Sequence, residues 1–303
     1  MRPPIRRLLV LADDPEWHTR RLVAAARERG AETIVCALAD CRFTIGPDDV
    51  SANMIPGLPP GVLPDAAFVR TVAAGSFEQV TFRLAILHAL EACGVPVVNP
   101  PRAIERCVDK GMTSFLLHRA GLPTPPTCVT ESAETADRWR NEVGGDDVVL
   151  KPLFGSQGRG LRRLRRGDLL PPPSEVAGVY YLQRFVGREA AWHDIRVFVV
   201  GGRPVAAMRR HGRSWITNVA RGGRCEAVPA AGRFGDLAVA AAAAVGGGYA
   251  GIDLIEDAAG GVQVLEINSM PAWKGLQSVT ADTDIAAVLI DHLLARAEAA
   301  SCR

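Results

Sequence analysis

The first hundred residues alternate short apolar runs with amphipathic stretches, and this order restricts the folds that the chain can adopt. The pattern predicts strands at 8–11, 33–38, 67–72 and 95–98, and helices at 16–29 and from an N-cap at Ser76 to about Cys93. Strands that alternate with helices favour a parallel sheet with helices on both faces. The first strand is not followed by GxGxxG, so no dinucleotide site is inferred there.

The alternation stops after residue 100. A helix is predicted to begin at the N-cap Asp109 and to end at Gly121, before a cluster of prolines. We expect three domains, at 1–99, 100–182 and 183–303. The other elements predicted are strands at 147–151, 180–185, 194–200, 203–210, 251–255 and 262–267, and helices at 234–245 and 284–299.

Composition limits the classes of function. The chain has 303 residues, 48% of them hydrophobic, and its 35 basic and 33 acidic residues give a net charge of +2, which demands neither nucleic acid nor an anionic membrane. The basic run at 159–166 favours a solvated surface, with nucleic-acid binding as the lesser alternative. Seven cysteines without a CxxC pair indicate reduced thiols, and neither a signal peptide nor a membrane span is evident. We therefore expect a cytoplasmic protein.

Two polar residues, Glu266 and Asn268, end an apolar strand. Residues two apart in a strand point to the same face, so the carboxylate and the amide are expected side by side. A turn at 257–261 would pair this strand with 251–255 and bring Asp253 opposite Glu266. Two carboxylates and an amide oxygen suit magnesium. A polar sheet face with solvated acids stays open as the alternative.

A glycine-rich loop, GSQGRG at 155–160, follows the strand that ends at Lys151. Backbone amides in such a loop can surround phosphate oxygens, and Lys151 adds a positive charge. A β-hairpin with a flexible tip is the alternative. Lys110 begins a helix, where a cation opposes the helix dipole unless an anion is bound beside it. A solvated lysine is the alternative there.

Guanidinium and polar groups are concentrated in the last third. Guanidinium groups recognise carboxylates and phosphates through paired hydrogen bonds, whereas a surface charge is the alternative for each residue alone. Arg209 and Arg210 point to opposite faces of one strand end, so only one is expected to point inward. Arg70 is expected either to hold a substrate carboxylate or to lie on the surface. The set in the last third is Asp194, Arg196, Arg209, Arg210, Asn218 and Arg221.

Together these features resemble the ATP-grasp superfamily and, within it, the RimK-like glutamate ligases. The matching stretches run in the same order from Val108 to Gln277, and the first hundred residues match only in general layout. The resemblance implies an α/β protein of the α+β ATP-grasp type, with an N-terminal parallel-sheet pre-ATP-grasp domain and two α+β subdomains that clasp ATP. The stretches are VDKGMTSFLLHRAGLPTPPT, VVLKPLFGSQGRGL, YYLQRFV, DIRVFVVGG, AAMRR, TNVARGG, AGIDLI and VLEINSMPAWKGLQ.

The resemblance implies a role for each matched position. Lys110 and Lys151 correspond to lysines that hold ATP phosphates. The phosphate-covering loop is Gly155, Ser156, Gln157, Gly158 and Gly160. The adenine-binding hinge is Gln183, Arg184, Phe185 and Val186, with Asp194 on the ribose and Arg196 nearby. The magnesium ligands are Asp253, Glu266 and Asn268. Arg209 or Arg210, with Asn218 and Arg221, correspond to groups near the phosphates and the reacting carboxylate.

Two departures accompany the resemblance. Arg184 stands where RimK itself tends to have an acid, and the segment from Val186 to Asp194 is slightly longer. The stretch WKGLQ, at 273–277, is unlike RimK and resembles a subgroup of ligases for tetrahydromethanopterin-type cofactors.

The implied reaction joins a carboxylate to an amine. ATP would convert an acceptor carboxylate to an acyl phosphate, and the amine of L-glutamate or a similar amino acid would displace phosphate. The implied cofactors are ATP and magnesium, with manganese as a substitute. The expected partners are L-glutamate and a carboxylate on a peptide or small molecule, such as a pterin or deazaflavin cofactor, with no nucleic acid and no membrane. A homo-oligomer stays open.

Two other classes of function stay open. ATP-grasp folds also include kinases of small molecules, and a non-enzymatic nucleotide-binding protein is the third hypothesis. The complete set of Lys110, Lys151, Asp253, Glu266 and Asn268 argues against the third, because a degenerate site would have lost some of these residues.

Overall fold

The computed structural model describes residues 6–45, 54–155, 158–187, 192–218 and 222–302. They form two compact units. The first comprises Met1–Ile104, Gly247–Tyr249 and Met270–Arg303, and the second comprises Glu105–Gly246 and Ala250–Ser269. The division into three domains expected from the sequence remains a prediction.

The first unit contains a four-stranded parallel sheet in the order β2-β1-β3-β4, as the strand–helix alternation predicted. Its strands are short and its central strands are fully buried, which is typical of parallel sheets covered on both faces. Its elements are β1 (Arg7–Leu11), α1 (Trp17–Glu28), β2 (Glu32–Cys36), β3 (Ala66–Val69), α2 (Phe77–Ala92), β4 (Val97–Val98), α7 (Lys274–Gln277) and α8 (Ile285–Ser301).

The two faces of this sheet are covered by different helices. Leu9 and Leu11 of β1 belong to an apolar cluster with Ile86 and Leu90 of α2. The alternate residues Leu8 and Val10 point to the opposite face, where α1 and α8 pack. The predicted N-cap of α2 is confirmed, since Ser76 and Gln79 form a reciprocal capping box.

The second unit contains a smaller antiparallel sheet in the order β5-β8-β6-β7. Helix α5 packs on it and buries Ala136 against Val148, Leu150 and Leu182. Strands β6 and β7 form the hairpin that the glycine loop connects, so the hairpin alternative for this stretch describes its shape correctly. The elements are α4 (Lys110–Arg119), β5 (Thr127–Thr130), α5 (Ala133–Trp139), β6 (Asp147–Lys151), β7 (Arg162–Arg165) and β8 (Tyr180–Arg184).

A five-stranded antiparallel sheet completes the second unit, in the order β11-β10-β9-β12-β13. The alanine-rich helix α6 packs on this sheet and also contacts α4. Small side chains such as Ala238 and Ala242 let the helix approach the sheet closely, against Ile252 and Val264. The elements are β9 (His193–Val200), β10 (Arg203–His211), β11 (Arg224–Val228), α6 (Arg233–Val245), β12 (Tyr249–Glu256) and β13 (Val262–Asn268).

Five short elements were not predicted from the sequence: β5, α5, β7, β11 and α7. They have at most seven residues, and the strands among them carry polar or charged residues. Strand β7, RRLR, buries only Leu164. A further helix, α3 (Pro101–Val108), was also missed. In the part of the chain that the structure describes, no helix combines the length and apolar character needed to cross a membrane.

One buried amide fixes Tyr249 within the first unit. Asn99 is fully buried, donates a hydrogen bond from Nδ2 to the carbonyl of Tyr249 at 2.7 Å, and accepts one from the backbone N–H of Tyr249 at 2.9 Å. The Tyr249 hydroxyl in turn donates to the carbonyl of Val69 at 2.6 Å. These bonds satisfy backbone groups at the start of β12 that would otherwise be buried without a partner.

Asn99→Leu should lower the free energy of unfolding by about 2–3 kcal/mol, because it leaves the N–H and carbonyl of Tyr249 buried and unpaired. Urea unfolding followed by circular dichroism measures the change. Asn141→Leu is the control, since Asn141 makes one exposed hydrogen bond, to Asp137. Equal effects of the two substitutions would contradict the role of Asn99.

Candidate functional site

A cleft lies in the second unit and is lined by strands from both of its sheets. Most residues that the sequence assigned to a nucleotide site lie in its wall. They are Lys110, Lys151, Gly155, Gly158, Gln183, Arg184, Phe185, Val186, Asp194, Arg210, Asn218, Asp253 and Glu266.

Other predicted residues are placed differently. Arg196 lies behind the wall and holds Asp253. The side chain of Asn268 donates to the carbonyl of Gly251 at 3.4 Å. Gly160 closes the glycine loop against Pro152. Ser156, Gln157 and Arg221 lie outside the described residues.

Lys151 is buried at the end of β6 and is held in one orientation. Its Nζ donates to Oε1 of Gln183 at 2.7 Å and lies 5.7 Å from the ring centre of Tyr181. Gln183 is itself fixed by Thr127 and by the Tyr181 hydroxyl. Burial lowers the pKa of Lys151 to about 8, although Glu266 opposes the shift. The cleft therefore contains a desolvated ammonium group that a bound anion would stabilise.

Lys110 approaches the same cleft from the start of α4. Its Nζ donates to the carbonyl of Gly155 at 2.7 Å and, at 3.4 Å, to that of Leu153. Burial lowers its pKa also, with Glu266 and Asp109 opposing the shift. The predicted N-cap is confirmed, since Asp109 accepts from the N–H of Met112. Lys110 thus joins helix α4 to the glycine loop.

At Gly158, the glycine loop closely approaches the segment that follows β10. This residue has φ of +67°, and a Cβ atom there would lie 2.9 Å from Oδ1 of Asn218 and 2.9 Å from Cγ2 of Ile216. Both the left-handed backbone and the short contacts require glycine. The side chain of Asn218 therefore lies directly against the loop.

Two arginines and two aspartates form a buried charge network across β9, β10 and β12. Arg196 binds both oxygens of Asp253 at 2.7 Å, and Arg210 contacts the same carboxylate at 3.0 Å. Arg210 also binds Asp194 at 2.6 Å, and Thr217 donates to that carboxylate at 2.7 Å. Of the two consecutive arginines, Arg210 is therefore the one that points inward, and it is almost completely buried.

The pKa values of the network follow from these contacts. Burial alone would raise the pKa of Asp253, but Arg196 and Arg210 overcome it and lower the pKa to about 2. Burial alone would lower the pKa of Arg210, but Asp253 and Asp194 raise it. Asp253 and Arg210 are therefore ionised at neutral pH. Asp194 has both of its oxygens bonded, so a ribose hydroxyl would have to share them.

The opposing carboxylates predicted from the sequence are confirmed. Asp253 of β12 pairs directly with Glu266 of β13, and the two strands are antiparallel. The ladder shifts by one residue just beyond this pair, so that Leu254 faces Val264 and Leu265 is the extra residue of a β-bulge. As a result, the neighbours Leu265 and Glu266 both line the cleft, which strict strand alternation would not allow.

The donor set fits a magnesium ion that is shared with phosphate. Within the described part of the chain, no three His, Cys, Asp or Glu side chains gather as a closed metal site. Asp253 and Glu266 instead offer two carboxylates on opposing strands. Each carboxylate oxygen has two lone pairs, and Oδ1 of Asp253 accepts only one bond, from Arg196. An open oxygen set of this kind suits magnesium, which retains several waters or phosphate oxygens.

Arg209 and Arg184 are engaged away from the carboxylate pair. Arg209 contacts Glu256 at 3.7 Å, and Glu256 also faces His193 at 3.2 Å. Arg184 donates to the carbonyl of Val143. Phe185 is covered by the guanidinium of Arg163, 3.9 Å from its ring centre.

Sequence reasoning missed the apolar and hydroxyl part of the wall. Val149 shares a strand face with Lys151 two residues later, so alternation along β6 was a sufficient signal for it. Leu265 had no such signal because the bulge reorients it. The remaining residues missed are Pro152, Leu161, Trp215, Ile216, Thr217 and Ile255, and Arg159, which was expected on a solvated surface, also lines the cleft.

Both parts of the chain match known family models. Residues 107–293 match the RimK-like ATP-grasp domain, and residues 7–104 match the RimK PreATP-grasp domain. The first of these matches alone covers more than half of the chain.

Named relatives are similar over most of their length. A tetrahydromethanopterin:alpha-L-glutamate ligase of Methanosarcina acetivorans is 34% identical, over 88% of this chain and 92% of the relative. A protein of the same name from Methanocaldococcus jannaschii is 38% identical, over 76% and 79%. A probable alpha-L-glutamate ligase of Hahella chejuensis is 32% identical, over 92% and 91%.

Solved structures share the fold. The ATP-grasp ligase PsnB in complex with a minimal precursor has a TM-score of 0.74 and 25% identity, over 97% of this chain and 100% of that one. PsnB with minimal precursor, Mg and ADP has a TM-score of 0.73 and 26% identity, over 96% and 98%.

ATP binding should weaken as the pH rises above about 8. A lysine binds phosphate in its protonated form, and the free protein loses the Lys151 proton near pH 8 rather than near the ordinary value. The dissociation constant should rise by at most about tenfold for each pH unit above 8. Isothermal titration calorimetry across roughly pH 7–9.5 measures the dissociation constant of ATP. The shifted pKa of Lys151 sets this pH range.

Lys151→Met is the matched control for the pH series. It should bind ATP more weakly and lose most of the pH dependence, with Lys110 accounting for the remainder. A dissociation constant of the unmodified protein that stays constant through pH 8 would contradict the role of Lys151.

Proposed function

Because the chain belongs to the RimK-like family of ATP-grasp ligases, which are ATP-dependent enzymes that form carbon–nitrogen bonds, we propose that it joins an acceptor carboxylate to the amine of L-glutamate. The observation that carries this proposal is one cleft in which two lysines of lowered pKa lie near Glu266, with Asp253 directly opposite Glu266 on the next strand. Cations for phosphate and carboxylates for magnesium are the two requirements of phosphoryl transfer.

The residues of the cleft divide the work of holding ATP. Lys151, fixed by Gln183, and Lys110 neutralise phosphate oxygens. The glycine loop offers backbone N–H groups, and binding of phosphate would draw Lys110 away from the carbonyl of Gly155. Val149, Val186 and Leu265 form apolar walls for the base. Magnesium, held by Asp253, Glu266 and Asn268, would supply positive charge to the phosphates, and we propose that manganese can replace it.

The charge network positions these groups. Arg196 and Arg210 fix Asp253 on β12, and therefore hold one carboxylate of the pair in place before the nucleotide arrives. Preorganised charge of this kind lowers the barrier because it needs no rearrangement during the reaction. We propose that Asn218, which lies against the glycine loop, contacts the transferred group. Direct catalytic roles for Arg209, Arg210 and Arg221 remain predictions.

We propose that the chain's residues orient two substrates in sequence. The acceptor carboxylate attacks the γ-phosphorus of ATP, so that an acyl phosphate forms and ADP leaves. The amine of L-glutamate then attacks the acyl carbon, and phosphate is expelled as the amide forms. Positioning and charge neutralisation account for most of the catalysis, so no nucleophilic side chain is required.

The relatives indicate the class of acceptor. The Methanosarcina and Methanocaldococcus relatives are named for tetrahydromethanopterin, and the identity extends over three quarters or more of this chain. The PsnB structures contain a peptide precursor. We propose a cofactor of pterin type with a side-chain carboxylate as the acceptor, ahead of a peptide.

Magnesium-dependent release of ADP tests the function. Purified protein is incubated with ATP, L-glutamate and a panel of carboxylate acceptors, and the masses of the products are followed. We expect ADP only when amine and acceptor are both present, and a product heavier by one glutamyl residue. ADP without amine, with phosphate retained on a stable product, would instead identify a kinase.

Glu266→Gln should lower kcat by at least about a hundredfold, because it removes one of the two carboxylate charges that would hold a divalent cation together with phosphate. Steady-state rates at several magnesium concentrations measure this loss. Glu175→Gln is the control, since Glu175 makes an exposed ion pair with Arg162 away from the cleft. An unchanged magnesium dependence in Glu266→Gln would show that the metal assignment is wrong.

A further inference from the structure

Arg70 lies where a ligand site is expected in the parallel sheet of the first unit. Strands β2 and β3 flank β1 on opposite sides, so the chain changes direction between β1 and β3. Ligands of open α/β sheets bind beyond the carboxyl ends of the strands at such a point. The N–H groups of Arg70 and Thr71 both donate to the carbonyl of Leu11, and the N–H of Asp13 donates to Oγ1 of Thr71. Arg70 therefore follows β3 directly at this edge.

Among the residues that the structure describes, the guanidinium of Arg70 has no carboxylate as a counter-ion and is held in place by other contacts. One nitrogen, Nη1, donates to the carbonyl of Met270 at 3.1 Å, and the group lies 5.3 Å from the ring centre of Trp273. Across the described residues, no carboxylate lies within ion-pair distance of it, and Asp14 and Glu16 act only through longer-range attraction. Burial lowers the pKa of Arg70 as a result.

The other donors of Arg70 are not sealed in the interior. Buried nitrogens that lack a partner occur elsewhere in the described chain, and those of Arg70 are not among them. With its face against Trp273 and one N–H fixed, the guanidinium retains an edge for a further acceptor. A guanidinium edge matches the two oxygens of a carboxylate.

An aromatic group and an imidazole complete the surroundings. Nε2 of His18 accepts from the N–H groups of Trp273 and Lys274, at 3.2 and 3.3 Å. Burial, Arg70 and Lys274 lower the pKa of His18 to about 4, so the imidazole is neutral at pH 7. Trp17, partly exposed, lies 5.0 Å from His18 between ring centres. Because His18 is neutral, the positive charge at this place comes from Arg70 and the exposed Lys274.

We propose that Arg70, backed by Trp273, binds a carboxylate of a substrate other than the carboxylate that is activated. This inference rests on the proposed ligase function, and it names Arg70 as a specificity residue. Either substrate, the amino-acid donor or the acceptor, could provide a carboxylate of this kind. L-Glutamate carries two carboxylates that do not react, and an acceptor with a second carboxylate would carry one.

Kinetics of Arg70→Gln separate the two sources. We expect KM to rise by about tenfold to a hundredfold for one substrate, because a charge-assisted pair of hydrogen bonds is lost. KM for ATP should stay within about twofold, since the inferred site holds a substrate carboxylate and not phosphate. A rise for L-glutamate alone assigns the donor, and a rise for the acceptor alone assigns the acceptor. Unchanged KM values for both substrates would overturn the inference and leave the ligase function intact.

Two further variants keep the test decisive. Arg70→Lys retains the charge but not the planar edge, so it should raise the same KM to an intermediate degree. It also provides the test if Arg70→Gln does not fold. Arg21→Gln is the control, since Arg21 lies in the same unit and pairs with Asp284 on the surface. Its kinetics should match those of the unmodified protein.

A binding measurement does not depend on turnover. L-Glutamate and glutarate are titrated by calorimetry into the unmodified protein and into Arg70→Gln. Binding that is weakened at least about tenfold by the substitution would support the site even if no ligation were observed. Absence of binding to the unmodified protein together with unchanged KM values, or equal affinity of the two proteins, would overturn it.

Discussion

The pairing of Arg196 and Arg210 with Asp253 is the interaction on which the rest of the cleft depends. Removing charged groups from water costs several kcal/mol for each ion, and attraction offsets this only when the hydrogen bonds are complete. Here each oxygen of Asp253 is bonded, Arg210 also binds Asp194, and Thr217 donates to Asp194. The network joins three neighbouring strands, β9, β10 and β12. Loss of one member would leave its partners charged and buried, so the strands and the carboxylate pair are fixed together.

The cleft combines this rigid side with cations that are less well compensated. Lys151 is buried and Lys110 is half-buried, and the nearest opposing charge that affects both is Glu266. A site that is electrostatically incomplete without its ligand gains binding energy when phosphate and a divalent cation arrive together. The two sides therefore serve different purposes, since one sets geometry and the other supplies attraction.

Local pattern was enough to predict part of this arrangement. The turn between β12 and β13 allowed the pairing of Asp253 with Glu266 to be inferred, because a short hairpin fixes its own register. The bulge at Leu265 was not predictable, since packing of the whole sheet decides where an extra residue is accommodated. The contact between Arg196 and Asp253 joins strands that are far apart in sequence, and no local signal reports such pairs. Strand β7 was missed because its three arginines conceal a single buried leucine.

The first unit is assembled from segments at both ends of the sequence. Its sheet comes from the first hundred residues, whereas α8, which packs on α1 and β3, is residues Ile285–Ser301. During synthesis on the ribosome, α1 can cover only part of one face of this sheet until nearly two hundred further residues, including the entire second unit, have been translated. The second unit is almost continuous in sequence, interrupted only by Gly247–Tyr249, and its chain is complete before α8 is made. The earliest residues made can therefore be fully buried only after the last segment of the first unit has been synthesised.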